Sequence, residues 1–443
     1  MAQRWRILAA LTLARTAMGF QFQSVASVAP FLTSDLALDN AQLGWLIGLY
    51  LLPGTVIALP GGLLGARFGD KRLTLVGLGL MVFGGLWLAL AQTFFEANAA
   101  RLASGAGAVI LNVLLTKMVV DWFEGRERVL AMSILINSWP IGIGAALLVA
   151  GLLAELTSWR WAFVSTAMFA VGGFIAVLSM YPSPVAAKQP IVNGTGVTVL
   201  TPREWRLLIL ASLPWVLYNA AYQIMISFLP SFLLENGLSI VRSGATSALN
   251  ALALIVSVQV GGVVLKRTQS PDLICNAAII GWCVTLLLLS TASMPLLWIV
   301  LGGLLGGLPA SAFVTLPAEF LKPQSRAAGM GVFFTIYYFG CALLPSAAGA
   351  LYDFAGSARP TLWMATVVAF ACVPGLMLFR RTMNRAELLS NLVYDELIQA
   401  AACSNSSDLC RTPSLNFTPT MTSASNSKPS SRRNDCSAHI ASL

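Results

Sequence analysis

The stretch Gly61-Gly-Leu-Leu-Gly-Ala-Arg-Phe-Gly-Asp-Lys-Arg72 puts four charged residues into its last six positions, and long apolar runs lie on both sides of it. Upstream, residues 41–65 read as an apolar helix. Downstream, residues 73–94 contain no charged residue. A membrane-spanning helix needs about 20 mostly apolar residues, so the stretch reads as a short polar turn between two spans. Working outward, the same alternation recurs along the chain and predicts twelve spans: 7–32, 41–65, 73–94, 97–119, 129–154, 161–181, 206–234, 240–265, 272–292, 295–318, 327–351 and 360–380. The longest internal polar stretch, 182–205, holds Pro182, Pro184, Pro190, Asn193, Gly194 and Gly196 and divides the spans six and six.

The composition agrees. Hydrophobic residues make up 57% of the 443 positions and charged residues 10%, against roughly 25% charged in soluble domains. The net charge of +9 is spread between apolar runs, which argues against a nucleic-acid surface. Seventeen Lys and Arg, from Arg4 and Arg6 to Arg380, Arg381 and Arg385, fall in one set of loops. The alternate loops hold Arg160, Arg242 and Arg359. Basic loops face the cytoplasm, so both termini are expected inside a multi-pass protein of the cell membrane, the inner membrane if the source is bacterial. The N-terminus runs into an apolar stretch interrupted by Arg15 and reads as a retained first helix. Cys spacing suggests neither a metal site nor a disulfide framework. Residues 386–402 could form an amphipathic helix, and 403–443 are rich in Ser, Asn and Thr and read as disordered.

The two parts of the chain are related. A shift of 200 residues pairs Gln23 with Gln223, Ser27 with Ser227, Pro30 with Pro230, Gly44 with Gly244 and Arg67 with Arg267. A shift of 198 pairs Asp121, Arg128 and Met132 with Glu319, Arg326 and Met330. Parallel half-repeats of this kind are a transporter architecture. The expected fold class is an all-α membrane protein with twelve transmembrane helices in two six-helix pseudo-symmetric bundles. Its parts are an N-terminal bundle (1–181), a cytoplasmic linker (182–205), a C-terminal bundle (206–385) and a mostly disordered cytoplasmic tail (386–443).

The stretch at 61–72 resembles the signature Gly-x-Leu-Ala-Asp-Arg-x-Gly-Arg-Lys of the major facilitator superfamily. Gly62, Leu64, Arg67, Gly69 and Lys71 match; Ala66 stands in place of the signature Asp and Asp70 in place of the usual Arg. In the family that Asp helps lock helices on the cytoplasmic side, so Ala66 puts the lock in doubt and leaves Asp70 as a substitute carboxylate. Arg101-Leu-Ala-Ser-Gly-Ala-Gly107 resembles the helix-four motif, and Asp121-Trp-Phe-Glu-Gly-Arg-Glu-Arg128 resembles the Trp-Phe…Glu-Arg loop. Trp139-Pro-Ile-Gly-Ile-Gly144 is a degraded version of the helix-five antiporter motif. The resemblance implies a solute site between the halves, lined by helices one, four, seven and ten. It also implies a cytoplasmic gating set of Gly62, Arg67, Gly69, Asp70, Lys71, Arg101 and Arg128.

Polar side chains within spans are expensive and carry a functional hypothesis by default. The substrate candidates are Arg15, Gln21, Gln23, Asn112, Asn137, Trp139, Tyr218, Asn219, Tyr222, Gln223 and Tyr337. Gln23 and Gln223 are expected to face one another across the cavity. Arg15 either attracts an anion or snorkels to the surface; Lys117 is expected to snorkel; Arg101 either takes part in proton coupling or braces helix four. No Asp or Glu falls in the middle of any predicted span, and the one His is His439. That disfavours cationic solutes and leaves protons as a candidate coupling ion to be taken up at the helix mouths. Aromatic residues beside amides suit a planar solute, such as a vitamin, nucleobase or aromatic acid.

The expected function is secondary active or facilitative transport of a small neutral or anionic organic solute by alternating access. Uptake is favoured because the antiporter motif is degraded. The rivals are efflux by proton antiport and a non-transporting sensor on a carrier scaffold. No enzymatic activity, metal or cofactor is expected, and a monomer in the lipid bilayer is.

Overall fold

Helices start where the sequence supplies a cap. Asp39 accepts from Gln42 N (2.6 Å) while Gln42 Oε1 accepts from Asp39 N (3.1 Å), a reciprocal capping box. Thr201 and Glu204 form a second one, so that helix begins at Pro202 and not at the expected 206. The computed structural model describes residues 2–182, 200–291, 294–322 and 324–385. The helix expected at 386–402, the polar segment after it and most of the 182–205 linker lie outside the described residues.

The first predicted span is two helices, α1 (Ala2–Ser27) and α2 (Ala29–Asp35), parted at Val28 just before Pro30. The second is likewise α3 (Asn40–Leu49) and α4 (Gly54–Phe68). Pro53, which has no N–H to donate, sits at that break. Four continuous helices follow: α5 (Asp70–Leu90), α6 (Phe94–Trp122), α7 (Gly125–Leu156) and α8 (Trp159–Met180). The second part opens with α9 (Pro202–Glu235), α10 (Ile240–Arg267) and α11 (Pro271–Thr291). Next, α12 (Pro295–Gly306) gives way near Pro309 to α13 (Ala310–Thr315) and a 3-10 turn, Leu316–Glu319. Then come α14 (Arg326–Ala355) and α15 (Arg359–Phe370), with helical backbone resuming over 372–385.

Among the described residues, eleven helical stretches are long and apolar enough to cross a membrane. The sequence predicts twelve; the one that falls short is α1, whose interior carries Arg15, Gln21, Gln23 and Ser24. Side chains such as Phe83, Leu90, Leu156 and Val367 are exposed, as lipid-facing positions would be.

Contacts at the helix ends define two faces. At the face where α1 begins, the N-terminal face, Arg4 pairs with Glu127 (2.6 Å) and Lys117 with Asp70 (2.7 Å). Arg380 bridges Asp272 (2.7 Å) and Glu319, and Glu204 accepts from Ser325 (2.5 Å). At the opposite face Asp35 accepts from Trp159 Nε1 (2.7 Å) and Glu235 from Ala358 N (2.9 Å).

Helices before residue 182 pack chiefly on one another (α1 on α7 and α8, α5 on α6 and α8), and so do those after residue 200 (α9 on α14 and α15, α10 and α11 on α12). Two seams join the sets, α3 against α14 and α7 against α10. They are close because glycine removes the side chain: a Cβ on Gly48 would meet Ala342 O at 1.9 Å, and one on Gly244 would meet Leu147 O at 2.2 Å. Backbones approaching on small residues are characteristic of membrane helix pairs.

Candidate functional site

One layer of polar and aromatic side chains crosses the middle of the helix array. Arg15, Asn137, Trp215, Tyr337 and Tyr338 lie eleven to thirteen residues into α1, α7, α9 and α14, and Asn112 lies ten residues before the end of α6. At 1.5 Å per residue this puts all of them about 15–20 Å from the N-terminal face. The break between α3 and α4 opens onto this layer: the Tyr338 ring covers Gly54, where a Cβ would meet Tyr338 Cγ at 2.2 Å.

Aromatic rings form one wall. Trp215 stacks near Tyr218 (6.0 Å between centroids) and meets Tyr337 at 5.8 Å, and Tyr337 meets Tyr338 at 4.9 Å. Asn112 Nδ2 donates to Tyr338 Oη (2.8 Å), a hydrogen bond between the two sets of helices. Three buried polar atoms of the layer have no hydrogen-bond partner, Arg15 Nε, Asn137 Oδ1 and Trp215 Nε1; Tyr222 Oη and Gln223 Oε1 are likewise open, about 10 Å nearer the opposite face. Buried polar groups are normally satisfied; these stand open beside the aromatic wall.

Two arginines lie inside apolar helices and differ sharply. Arg101 is fully buried; Nε donates to Leu46 O (3.0 Å), Nη1 to Gln21 O (3.0 Å) and Nη2 to Phe22 O (3.3 Å), and the guanidinium lies 4.5 Å from the Tyr50 ring centroid. It ties α6 to α1 and α3. Arg15 makes a single long contact, Nη1 to Leu135 O at 3.5 Å.

The sequence-predicted residues divide by depth. Gln23 is eight residues past Arg15, about 12 Å nearer the opposite face. Its Nε2 donates to Ile226 O (3.0 Å) in α9, one turn beyond Gln223. The two glutamines thus sit above the layer, where α1 crosses α9. Gln21 turns into its own helix set, Nε2 donating to Met81 O (2.9 Å). Asn219 folds back on Trp215 O (2.8 Å). Trp139 lies against Phe22 (5.3 Å).

Apart from Arg101, which lies only seven residues from the start of α6 and so in the opposite half, the gating set sits at the N-terminal face. Asp70 holds Lys117 through both oxygens (2.9 and 2.7 Å), so Lys117 is paired and does not snorkel free. Lys71 Nζ donates to Leu178 O (2.9 Å) and Tyr181 O (2.5 Å), capping the end of α8. Arg128 Nε donates to Phe123 O (2.8 Å). Arg67 is exposed beside Phe68; Gly69 takes φ +88° between α4 and α5; Gly62 lies within α4. Every one of these contacts stays within the first set of helices.

Sequence reasoning passed over Tyr50, which lies in an apolar run, and Asp353. The Asp353 carboxylate accepts from Asn40 N (3.0 Å), Asn40 Nδ2 (2.7 Å) and Ala41 N (2.9 Å), capping α3 from the end of α14. Its partners are over 300 residues away, so no local pattern signals it.

Comparison with known proteins follows the same lines. The family model of the Major Facilitator Superfamily matches residues 11–275. The MFS-type transporter EfpA of Mycobacterium tuberculosis is 34% identical over 143 residues, 32% of this chain and 27% of that protein. The hexuronate transporter of Bacillus subtilis is 23% identical over 248 residues, 53% of this chain and 58% of that one. The match thus spans about a quarter of the first relative's length and somewhat over half of the second's. The crystal structure of the nucleoside transporter NupG superimposes with a TM-score of 0.70 at 13% identity, covering 85% of this chain and 99% of that one, which is a likeness of fold. With a family match over more than half its length, the motifs at 61–72, 101–107 and 121–128, and the fold of a solved member, the chain belongs to the Major Facilitator Superfamily.

Proposed function

We propose that the protein is a secondary carrier that moves a small, planar organic solute, neutral or anionic, across the cell membrane by alternating access. In this reading α1–α2 is a twelfth crossing and the helices form two six-helix bundles, 1–181 and 206–385, joined by a linker at 182–205 and followed by a tail at 386–443. The N-terminal face is cytoplasmic, because the basic loops lie there. The observation that carries the reading is the mid-depth layer of unpartnered polar atoms and stacked rings supplied by both bundles. A closed structural core would satisfy those atoms; a solute site leaves them open until loaded.

The site residues of this reading are Arg15, Asn112, Asn137, Trp215, Tyr337 and Tyr338, with Tyr218 in the aromatic wall and Tyr222, Gln23 and Gln223 above it. Asp70, Lys71, Arg101 and Arg128 hold the first bundle rigid so that it rocks as a body. The absence of a carboxylate in the described layer favours uncharged or anionic solutes. The hexuronate relative is named for a carboxylate-bearing solute and the structural neighbour for nucleosides, which together span that range. Uptake is preferred to export on the degraded motif at 139–144.

The test is counterflow in proteoliposomes. Vesicles loaded with excess unlabelled solute, without an ion gradient, should transiently concentrate trace labelled solute through a carrier. A library screen giving specific binding but no counterflow for any bound solute would reduce the chain to a sensor on a carrier scaffold.

A further inference from the structure

The contrast between the two intramembrane arginines has a chemical consequence. A guanidinium carries five N–H donors and a permanent charge, and leaving it unpaired at mid-depth is costly. Arg101 meets that cost internally, with three carbonyls and an aromatic face. Arg15 does not: it has the one 3.5 Å contact, a buried Nε without a partner, and no ion pair among the described residues. Among the described residues no Asp or Glu shares its depth. At the ends of the layer helices Glu127 pairs with Arg4, Glu204 accepts from Thr201 and Ser325, and Asp353 accepts from Asn40 and Ala41, while Asp121 lies nine residues past Asn112, about 14 Å along α6. The described residues supply no counter-charge for Arg15.

The surroundings specify its shape. Tyr337 and Tyr338, eleven and twelve residues into α14, lie at the depth of Arg15, thirteen residues into α1. Because Tyr338 Oη already accepts from Asn112, its own proton is left to donate. Beside the Tyr338 phenol, at 4.9 Å, stands Tyr337, which meets Trp215 at 5.8 Å, with the Trp215 N–H open. We propose that Arg15 and Tyr338 grip the carboxylate of a planar monocarboxylate whose ring lies against the Trp215–Tyr337 wall. One guanidinium without a second free cation in the layer matches one negative charge, so dicarboxylates are rejected. With no carboxylate to receive an ammonium group, zwitterionic amino acids are rejected too.

This rests on the carrier reading, and binding separates the two. Purified full-length protein is titrated with benzoate, nicotinate and indole-3-acetate, with their amides as neutral isosteres and phthalate as a dianion, following tryptophan fluorescence. The same compounds are then run in counterflow. At least one monocarboxylate should bind more tightly than its amide by on the order of 10- to 100-fold, the worth of hydrogen bonds to a charged group, and phthalate should bind weakly. Arg15→Gln should bring the carboxylate-to-amide ratio near one. Arg15→Lys should keep part of the preference, because the charge remains while the fork is lost. Tyr338→Phe should lower the ratio by about tenfold. A variant that only loosened packing would weaken acid and amide alike and leave the ratio unchanged. The proposal is overturned if no acid in the panel binds, if amides bind as well as acids, or if Arg15→Gln keeps the preference. Arg15-dependent acid binding without counterflow would uphold the anion site and overturn the carrier reading alone; charge-blind counterflow would do the reverse.

Discussion

Arg101 shows what a single side chain contributes to this fold. Its guanidinium closes three carbonyls at positions where α1 and α3 pass α6, two of them consecutive, at Gln21 and Phe22. Removing it strips out three hydrogen bonds from a charged donor, each worth about 1.5–3 kcal/mol. Arg101→Leu is therefore expected to destabilise the protein by about 3 kcal/mol or more, read as a lower midpoint in thermal unfolding in detergent. Arg15→Gln should leave that midpoint nearly unchanged, since Arg15 has one long contact to lose. Equal destabilisation by both substitutions would mean that the two arginines do the same work. From sequence both were simply arginines inside apolar runs, and Arg101 could be read as proton-coupling or brace. Only the carbonyls around it decide, and those belong to segments up to 80 residues away.

Among the elements, the α3–α14 seam depends on missing side chains. Gly44 and Gly48 face Pro345 O and Ala342 O at distances no Cβ tolerates, 2.1 and 1.9 Å. Gly48→Val must push α14 outward, at about 1–3 kcal/mol for overpacking. The expected result is a folded protein with intact monocarboxylate binding from the N-terminal face but slowed counterflow, since closure of the opposite face is strained; normal exchange rates would show that the seam opens and closes some other way. Much at this scale was legible beforehand. The apolar runs, the turn at 61–72 and the start of the second part follow from composition and period alone. The breaks at Val28, Pro53 and Gly307–Pro309 were not, since each lies inside an apolar run that reads as one helix. The prolines flag a kink without saying whether the helix bends or stops. The sequence predicts a crossing at 7–32, and α1 falls short of one by hydropathy because of its polar interior. The repeat sets Gln23 opposite Gln223, and the structure has Gln23 donating to Ile226 O, eight residues past Arg15 along α1; a shift of 200 gives register and not height.

For the whole molecule, the described contacts between the two parts are uneven. At the N-terminal face, the ion pairs of Arg4, Lys117 and Arg380 each stay within one part. At the opposite face, the Asp353 carboxylate joins α14 to the start of α3, where the helix dipole favours a negative charge, and Gln23 joins α1 to α9. Ala66 removes the family's carboxylate from the other end. Replacing Asp353 with Ala should favour opening at the opposite face, seen as faster labelling of a Ser27→Cys variant, near Pro30 and Pro230, by an impermeant maleimide applied from that side. Labelling at the parental rate would show that Asp353 does not hold the closure.

The one-sided position of that carboxylate also bears on kinetics. On the proposed orientation, a transporter clasped at its outer door and, among the described residues, unclasped at its inner door idles with the inner door open. Solute arriving from the N-terminal side finds a ready site; solute arriving from the other side must wait for a rare state, and its apparent affinity is reduced by the fraction of time that state is occupied. Half-saturation should therefore need more solute from the opposite side than from the N-terminal side, and Asp353→Ala should narrow the gap. A carrier built this way would import slowly when solute is scarce and respond nearly in proportion to external supply, behaving as a gauge of abundance more than as a scavenger.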